Sequence, residues 1–541
     1  MRRPILELLI AAGLALATGF AYIGVLSSDF EFVNLDDDVY VYENNVVRMG
    51  LTRASVNWAF TTTYLGNWHP LTWLSLELDY RLFGLNPAGY HAMNLAFHVA
   101  NTVLVFWLLN KLTSAAGRSA CAAAFFGLHP LHVESVAWIS ERKDVLSMFF
   151  LLLSILAWQA YARRGKGWGY ALCVSLFLFS LMSKAMGITL PLVLLLLDVW
   201  PLGRWRREAA STAPGQTSMG RLIAEKLPFF LISAAFGAVS VLLQGRSGAM
   251  EYGRSLTLPQ RLAIVPMNYV TYLWQTLWPV DLVVLYPHPG ELPLWKPLGA
   301  MVLLLAVTLL VVRVLKSLPY LGMGWFWFLI TLLPVIGLVQ LGRHATADRY
   351  MYLPMVGLLV MLCWGAYDLT FGRRGLRWMM AAAAVISLCV CAELTSRQVQ
   401  VWHDDIRLWE HTLALTPESS TAQGNYGKAL FIRGQEEEAE RRFLRALEID
   451  PTLFAPNFNM GVVMGHRGRP AEAAEYFERA RQLDPNNPLV LDNLGIAEEQ
   501  SGRLEAAREH YERALQINPQ GAAVRARLER LKSKTGAPDT R

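Results

Sequence analysis

Twelve apolar runs dominate the chain, near residues 5–26, 90–112, 119–137, 145–162, 168–183, 185–200, 226–244, 260–280, 297–315, 322–341, 350–371 and 376–396. About 20 apolar residues in a helix cross the ~30 Å hydrocarbon layer of a bilayer. The runs therefore predict an all-α, polytopic membrane bundle. Composition agrees: of 541 residues, 54% are hydrophobic and 17% charged, where soluble domains sit near about 25% charged. That balance excludes a disordered chain, a small disulfide scaffold and an ordinary cytosolic enzyme.

Charges in the short turns orient the runs, because Lys and Arg concentrate in cytoplasmic loops. Lys111 and Arg118, then Arg163, Arg164 and Lys166, then Arg204, Arg206 and Arg207 mark one side. Arg313 and Lys316, and Arg373, Arg374 and Arg377, mark it again. Arg2 and Arg3 precede the first run, whose length and lack of a small-residue cleavage site point to a signal anchor with a cytoplasmic N-terminus. The loops at 27–89, 131–144 and 342–349 then face the other side, together with the C-terminal tail, in a bacterial inner membrane or an ER-like one. A cytoplasmic start and an outer end require an odd number of spans. Eleven are expected, with 260–280 failing because Pro266, Asn268 and Gln275 interrupt it.

Residues 1–397 hold 30 basic against 21 acidic residues, a net of +9, and residues 398–541 hold 19 against 22, a net of −3. The basic excess thus belongs to the membrane part, where orientation explains it, and no nucleic-acid partner is called for. Cys121, Cys173, Cys363, Cys389 and Cys391 all lie in apolar runs and form no CxxC pair. They are expected to be buried thiols, not a disulfide framework or a zinc site.

The tail repeats itself. Pro417, Pro451, Pro485 and Pro519 are 34 residues apart, as are Gly427, Gly461 and Gly495, and Gly434, Gly468 and Gly502. Ala439, Ala473 and Ala507, then Phe443, Phe477 and Tyr511, then Ala446, Ala480 and Ala514 keep the same interval. A 34-residue period of small, aromatic, small and Pro positions is the tetratricopeptide (TPR) signature. Gly and Ala allow paired helices to approach, the aromatic fills the gap, and Pro ends the second helix. The expected organisation is a transmembrane domain over 1–397 and a TPR solenoid over 398–541. Within the solenoid a half repeat covers 402–416 (with Trp409 at the aromatic position), full repeats cover 420–453, 454–487 and 488–521, and a capping helix covers 522–534.

Three outer loops carry the ionisable residues. The first opens with Asp36-Asp37-Asp38, adjacent carboxylates that raise one another's pKa and can accept a proton or bind a cation. Trp58, Tyr64, Trp68, Trp73 and Tyr80 in the same loop suit an interfacial platform. The second holds His129, His132, Glu134, Glu141, Arg142, Lys143 and Asp144 between two apolar runs, a placement costly enough to mark function. His129, His132 and Glu134 crowd around Pro130 too tightly for a good metal site, so a hydrogen-bonded network shaping a polar cavity is the expectation. Lys184 stands between two apolar halves on the outer side. The third loop adds Arg343, His344, Asp348, Arg349 and Tyr350, and cations converging near a membrane surface fit a lipid phosphate.

The segments "HPLTWLSLELDYRLFGLNPAGYHAMNLAFH", "HPLHVESVAWISERKDVLS", "SKAMGITLPLVLLLLD" and "ADRYMYLP", followed by the repeats, resemble the transmembrane and tetratricopeptide O-mannosyltransferases (the TMTC family) and their bacterial relatives. The resemblance covers essentially the whole chain and implies a GT-C-type integral-membrane glycosyltransferase. Such enzymes use a polyprenyl- or dolichyl-phosphate sugar outside the cytoplasm. It implies a catalytic carboxylate among Asp36, Asp37 and Asp38, with the base open within the triplet. His129, His132, Glu134, Arg142 and Asp144 match the second-loop motif. Asp348 stands where many relatives carry Glu, and His69 where some carry Arg.

The implied mechanism has a carboxylate take the acceptor hydroxyl's proton as that hydroxyl attacks the anomeric carbon. The lipid phosphate leaves toward positive charge, supplied by Lys184, Arg349, Arg142 and Lys143. No cofactor is expected, with a divalent cation at the Asp36–Asp38 run left open. The partners are the polyprenyl-phosphate sugar, membrane lipid, and a protein or peptide acceptor held by the TPR domain. A non-catalytic anchor presenting a TPR scaffold is the alternative. An exporter of lipid-linked sugar is disfavoured, because polar residues gather in one-sided loops and no inverted repeat is evident.

Overall fold

The computed structural model describes residues 2–205, 217–247, 257–288, 290, 293–339, 342 and 344–535. Arg206, Arg207 and Arg343, singled out above for their charge, lie outside them. The chain divides into two compact units, Met1–Asp404 and Asp405–Arg541.

The first unit is helical: α1 (Arg2–Ala21), α2 (Arg53–Thr61), α3 (Pro70–Phe83), α4 (Pro87–Thr113), α5 (Ala116–Leu128), α6 (Arg142–Arg164), α7 (Gly167–Ser183), α8 (Leu190–Val199), α9 (Met219–Arg246), α10 (Leu258–Leu277), α11 (Trp295–Val314), α12 (Pro319–Leu332), α13 (Met355–Leu369) and α14 (Arg374–Val401). A short antiparallel ribbon pairs β1 (Tyr286–Pro287) with β2 (His344–Thr346). Among the described residues six helices are long and apolar enough to cross a membrane: Pro4–Ala21, Pro87–Thr113, Ile139–Arg164, Met219–Arg246, Trp295–Val314 and Arg374–Val401. Gly167–Ser183, Ala185–Val199, Pro319–Leu332 and Met355–Leu369 are shorter apolar helices.

Prolines explain where the helices depart from the expected runs. The 119–137 run is not one span. Pro130 forces His129 into an extended conformation (φ −83°, ψ 130°) and α5 stops at Leu128. Pro334 follows the end of α12 within two residues, so 322–341 is not helical throughout, and α13 begins only after Pro354. The 260–280 run does fold as a helix, α10, but it turns polar groups inward and is not among the apolar helices. Asn268 Nδ2 donates to Ile336 O at 2.9 Å and to Ala345 O at 3.0 Å.

α1 lies against α4 and α5, α4 also packs on α6, and α6 packs on α7. α12 and α13 cross closely because Gly324 and Gly357 face each other. A Cβ on either would collide with the other's carbonyl oxygen. Of the cysteines, Cys173, Cys363 and Cys391 are buried, Cys121 is half-buried and Cys389 is exposed. Cys389 therefore departs from the expectation of burial.

The 27–89 loop is a folded layer, and of the five aromatics expected to form a platform only Tyr64 is exposed. Trp73 is fully buried with Tyr40, Val41, Val47, Ala59, Leu76, Tyr90 and Ile139, and Trp58 and Tyr80 pack on that core. Tyr40 stacks on Trp73 at 4.8 Å and Trp58 meets it edge-on at 5.1 Å. Thr52 and Ser55 form a capping box that starts α2.

The second unit contains α15 (Asp405–Leu415), the pairs α16 (Ser420–Ile432) with α17 (Glu436–Ile449), α18 (Phe454–His466) with α19 (Pro470–Leu483) and α20 (Pro488–Gln500) with α21 (Leu504–Ile517), and α22 (Ala522–Thr535). Each repeat is closed by one device: a ring at Phe443, Phe477 or Tyr511 lies where a Cβ on Gly427, Gly461 or Gly495 would sit, 2.6–2.7 Å away. Gly434, Gly468 and Gly502 turn between the paired helices with φ of +75°, +68° and +81°, open to glycine at little cost.

Candidate active site

The three acids of the first loop have three different fates. Asp37 is fully buried, and its carboxylate accepts from Val33 N at 3.0 Å, Ser140 N at 2.9 Å and Ser140 Oγ at 2.5 Å. It staples the first loop to the second, 103 residues on. Burial pushes its pKa up to about 7 against these donors. Asp38 is buried, and its Oδ1 accepts from Val39 N at 2.9 Å in its own turn. Asp36 is half-buried, and among the described residues its carboxylate accepts no hydrogen bond and joins no ion pair. Burial raises its pKa, opposed by the nearby charges of Lys143 and Arg349 and aided by Glu141. A raised, accessible and unengaged carboxylate is suited to accepting a proton.

Glu141 is the hub that holds the cations in place. It receives Lys184 Nζ at 2.8 Å, Lys143 Nζ at 3.4 Å and Arg349 Nε at 3.4 Å. Lys184 also reaches Asp144 Oδ1 at 2.7 Å, and Ser135 Oγ donates to Asp144 Oδ2 at 3.2 Å. Arg349 gives its backbone N–H to Glu134 Oε2 at 2.8 Å and its guanidinium to Glu134 Oε1. Burial raises the pKa of Glu134, and Arg349 acts against that rise. Lys143 is the least engaged cation, with one long ion pair and the Tyr40 ring 4.7 Å from its nitrogen. A small cleft opens beside this cluster, lined by Asp144, Ser147, Met186, Arg349, Tyr350 and Tyr352.

The histidines do not join the cluster. His129 Nδ1 accepts from Leu131 N at 3.3 Å, so its Nε2–H is the donor to Thr276 O at 3.1 Å. His132 Nδ1 lies 2.7 Å from Phe126 O, and its ring packs on Tyr352 at 4.8 Å. His344 pairs with the Tyr350 hydroxyl at 3.0 Å, and Asp348 accepts from Tyr286 at 2.7 Å. His69 is buried between Tyr40 and Trp73, and its Nε2 is unpartnered. Burial, then the Lys143 and Lys184 charges, lower its pKa to about 3, so the ring is neutral. Among the described residues no three His, Cys, Asp or Glu side chains converge to hold a metal ion.

Arg142 is not an available phosphate ligand. Its side chain is fully buried and bonded to Asp79 Oδ2 at 2.7 Å, Asn94 Oδ1 at 2.5 Å, Ser75 Oγ at 2.7 Å and Tyr90 O at 3.0 Å. Sequence reasoning counts Glu141 among the ionisable residues of the second loop without giving it a role, and misses Ser140, Tyr286 and Asn94. Glu141 has a readable signal, since it is the acid placed directly before Arg142-Lys143 at the start of an apolar helix.

A tetratricopeptide-repeat family model matches residues 452–520. The chain is 26% identical over 497 residues to the human protein O-mannosyl-transferase TMTC1, covering 82% of this chain and 55% of that one. It is 25% identical over 486 residues to the Drosophila melanogaster protein O-mannosyl-transferase Tmtc1, covering 73% and 55%. Over 245 residues it is 31% identical to human TMTC2, covering 42% and 28%. The chain thus spans about half the length of the first two relatives. Its resemblance to the TMTC proteins holds over much of the sequence.

Proposed function

We propose that the chain is an integral-membrane glycosyltransferase that moves mannose from a polyprenyl-phosphate donor to a hydroxyl of a protein acceptor. Asp36 is the base that takes the hydroxyl proton as the oxygen attacks the anomeric carbon. The bond to the lipid phosphate breaks, and Lys143, Lys184 and Arg349 stabilise the departing oxyanion. Asp37 and Glu141 position these groups and do not themselves react. The observation that carries this reading is the pairing of one unengaged acid, Asp36, with three cations gathered on Glu141. The likeness to protein O-mannosyl-transferases supports the choice of sugar and acceptor class.

The TPR unit is assigned the acceptor. Asn425, Asn459 and Asn493 recur at the 34-residue interval on the first helix of each pair, and all are half-buried. Their amides can donate to and accept from the backbone of an extended peptide without reading its side chains.

The test incubates purified protein with radiolabelled polyprenyl-phosphate mannose and candidate acceptors. Transfer abolished by Asp36→Asn, with the protein still folded, supports the reading. Absence of transfer with every donor, or full activity in Asp36→Asn, overturns it.

A further inference from the structure

The fold leaves an apolar groove between α13 and α14, floored by α5, with a volume of about 900 Å³. Leu359, Leu362 and Ala366 line one wall, and Ala381, Ala384 and Ser387 the other. From Arg377 to Cys391 the groove follows α14 for 14 residue steps. At 1.5 Å per residue this is roughly 21 Å, more than half of the ~30 Å hydrocarbon layer.

One end of the groove differs from the rest. Arg118 and Arg377 converge there on the Tyr367 ring, with their guanidinium carbons 4.4 and 5.5 Å from its centroid. Arg118 also lies 5.2 Å from the Trp364 ring. Neither guanidinium has an ion pair or a side-chain hydrogen bond among the described residues. The acid nearest Arg377 in sequence, Asp368, forms an ion pair with neither of them. Two cations against one ring without a counter-ion are costly at a membrane boundary, and planar guanidinium groups suit a phosphate.

We propose that this groove binds an anionic phospholipid of the leaflet that borders the basic turns, with its phosphate between Arg118 and Arg377 and an acyl chain along α14. Charge complementarity selects the occupant. A zwitterionic lipid brings its own cation beside its phosphate and so leaves the net charge of the two arginines in place, and a partner helix would not place an anion at that end alone. Ala381, Ala384 and Ser387 keep the chain's path open, since larger side chains would fill it. The site is separate from the Glu141 cluster and does not depend on the reaction proposed above.

The experiment uses the delipidated full chain in detergent, titrated with phosphatidylglycerol or phosphatidylcholine and followed by native mass spectrometry and thermal melting. Phosphatidylglycerol is expected to be retained about tenfold more tightly, and to raise the melting temperature. The Arg118→Gln/Arg377→Gln variant should lose that preference. Ala381→Leu/Ala384→Leu, which leaves both cations in place, should exclude both lipids. Equal retention of the two lipids, or a preference unaffected by either variant, overturns the proposal. So does tighter retention of a polyprenyl phosphate, which would make the groove a carrier site. A change of oligomeric state in the leucine variant would make it a protein interface and overturn it as well.

Discussion

Glu134 receives Arg349 twice, from the backbone N–H at 2.8 Å and from the guanidinium, across 215 residues of sequence. The pair joins the 131–144 loop to the 342–349 loop and fixes the side of the cleft. Removing one partner strands the other's charge where water is scarce, a change that costs about 3–5 kcal/mol in buried pairs. Glu134→Ala should therefore lower the melting temperature of the detergent-purified chain by several degrees. Arg349→Lys keeps the charge but loses the planar contact, and should reduce transfer more than stability.

Asp36 and Asp37 separate chemistry from architecture. Asp36→Asn should reduce the transfer rate by about 10²–10⁴-fold, with an unchanged melting temperature. Asp37→Asn should lower the melting temperature, because an amide cannot accept from Val33 and both Ser140 donors as the carboxylate does. Transfer assays and melting curves on the same preparations check both. Because the pKa of Asp36 is raised, activity should fall on acidification at a pH above the ordinary carboxylate range.

Asp37 also gives stability a pH dependence. Its pKa in the fold is about 7, above the ordinary aspartate value of about 3.9. Within that window the unfolded chain has released a proton that the folded chain retains, so stability falls as pH rises from about 4 to about 7. Melting temperatures measured across this range should decline less in Asp37→Asn than in the wild type.

In the repeats, a Cβ on Gly461 would lie 2.6 Å from the Phe477 ring. Gly461→Ala should destabilise that pair of helices by about 1–3 kcal/mol, with the loss read by denaturant unfolding. Gly465→Ala, with nothing within 4 Å of the added carbon, should be neutral or stabilising by the same measurement.

The repeats were legible because their period is set by local geometry: a turn that wants Gly434, a ring that needs Gly427 and a stop at Pro451 all sit within one unit. The apolar helices were legible for a similar reason, and their misjudged ends trace to Pro130, Pro334 and Pro354. The site was legible as a set of charges but not as a circuit. Arg142 and Lys184 look alike in sequence, yet Asp79 neutralises one and Glu141 gathers the other, and only the fold brings either acid near. His129 and His132 read as members of a hydrogen-bonded network, but only tertiary packing supplies their partners, the backbone carbonyls of Thr276 and Phe126. The same limit hid the aromatic core, since Trp73 and Tyr40 stack only once the first loop folds back on itself.

The hub at Glu141 has a consequence for selectivity. Lys143, Lys184 and Arg349 face Glu134, Glu141 and Asp144, so the resting cluster is close to electrically balanced. Such a cluster is a poor trap for stray inorganic phosphate or soluble nucleotides, which would have to displace a carboxylate unaided. A headgroup tethered to the bilayer arrives at high local concentration, and can win that exchange where a free anion cannot.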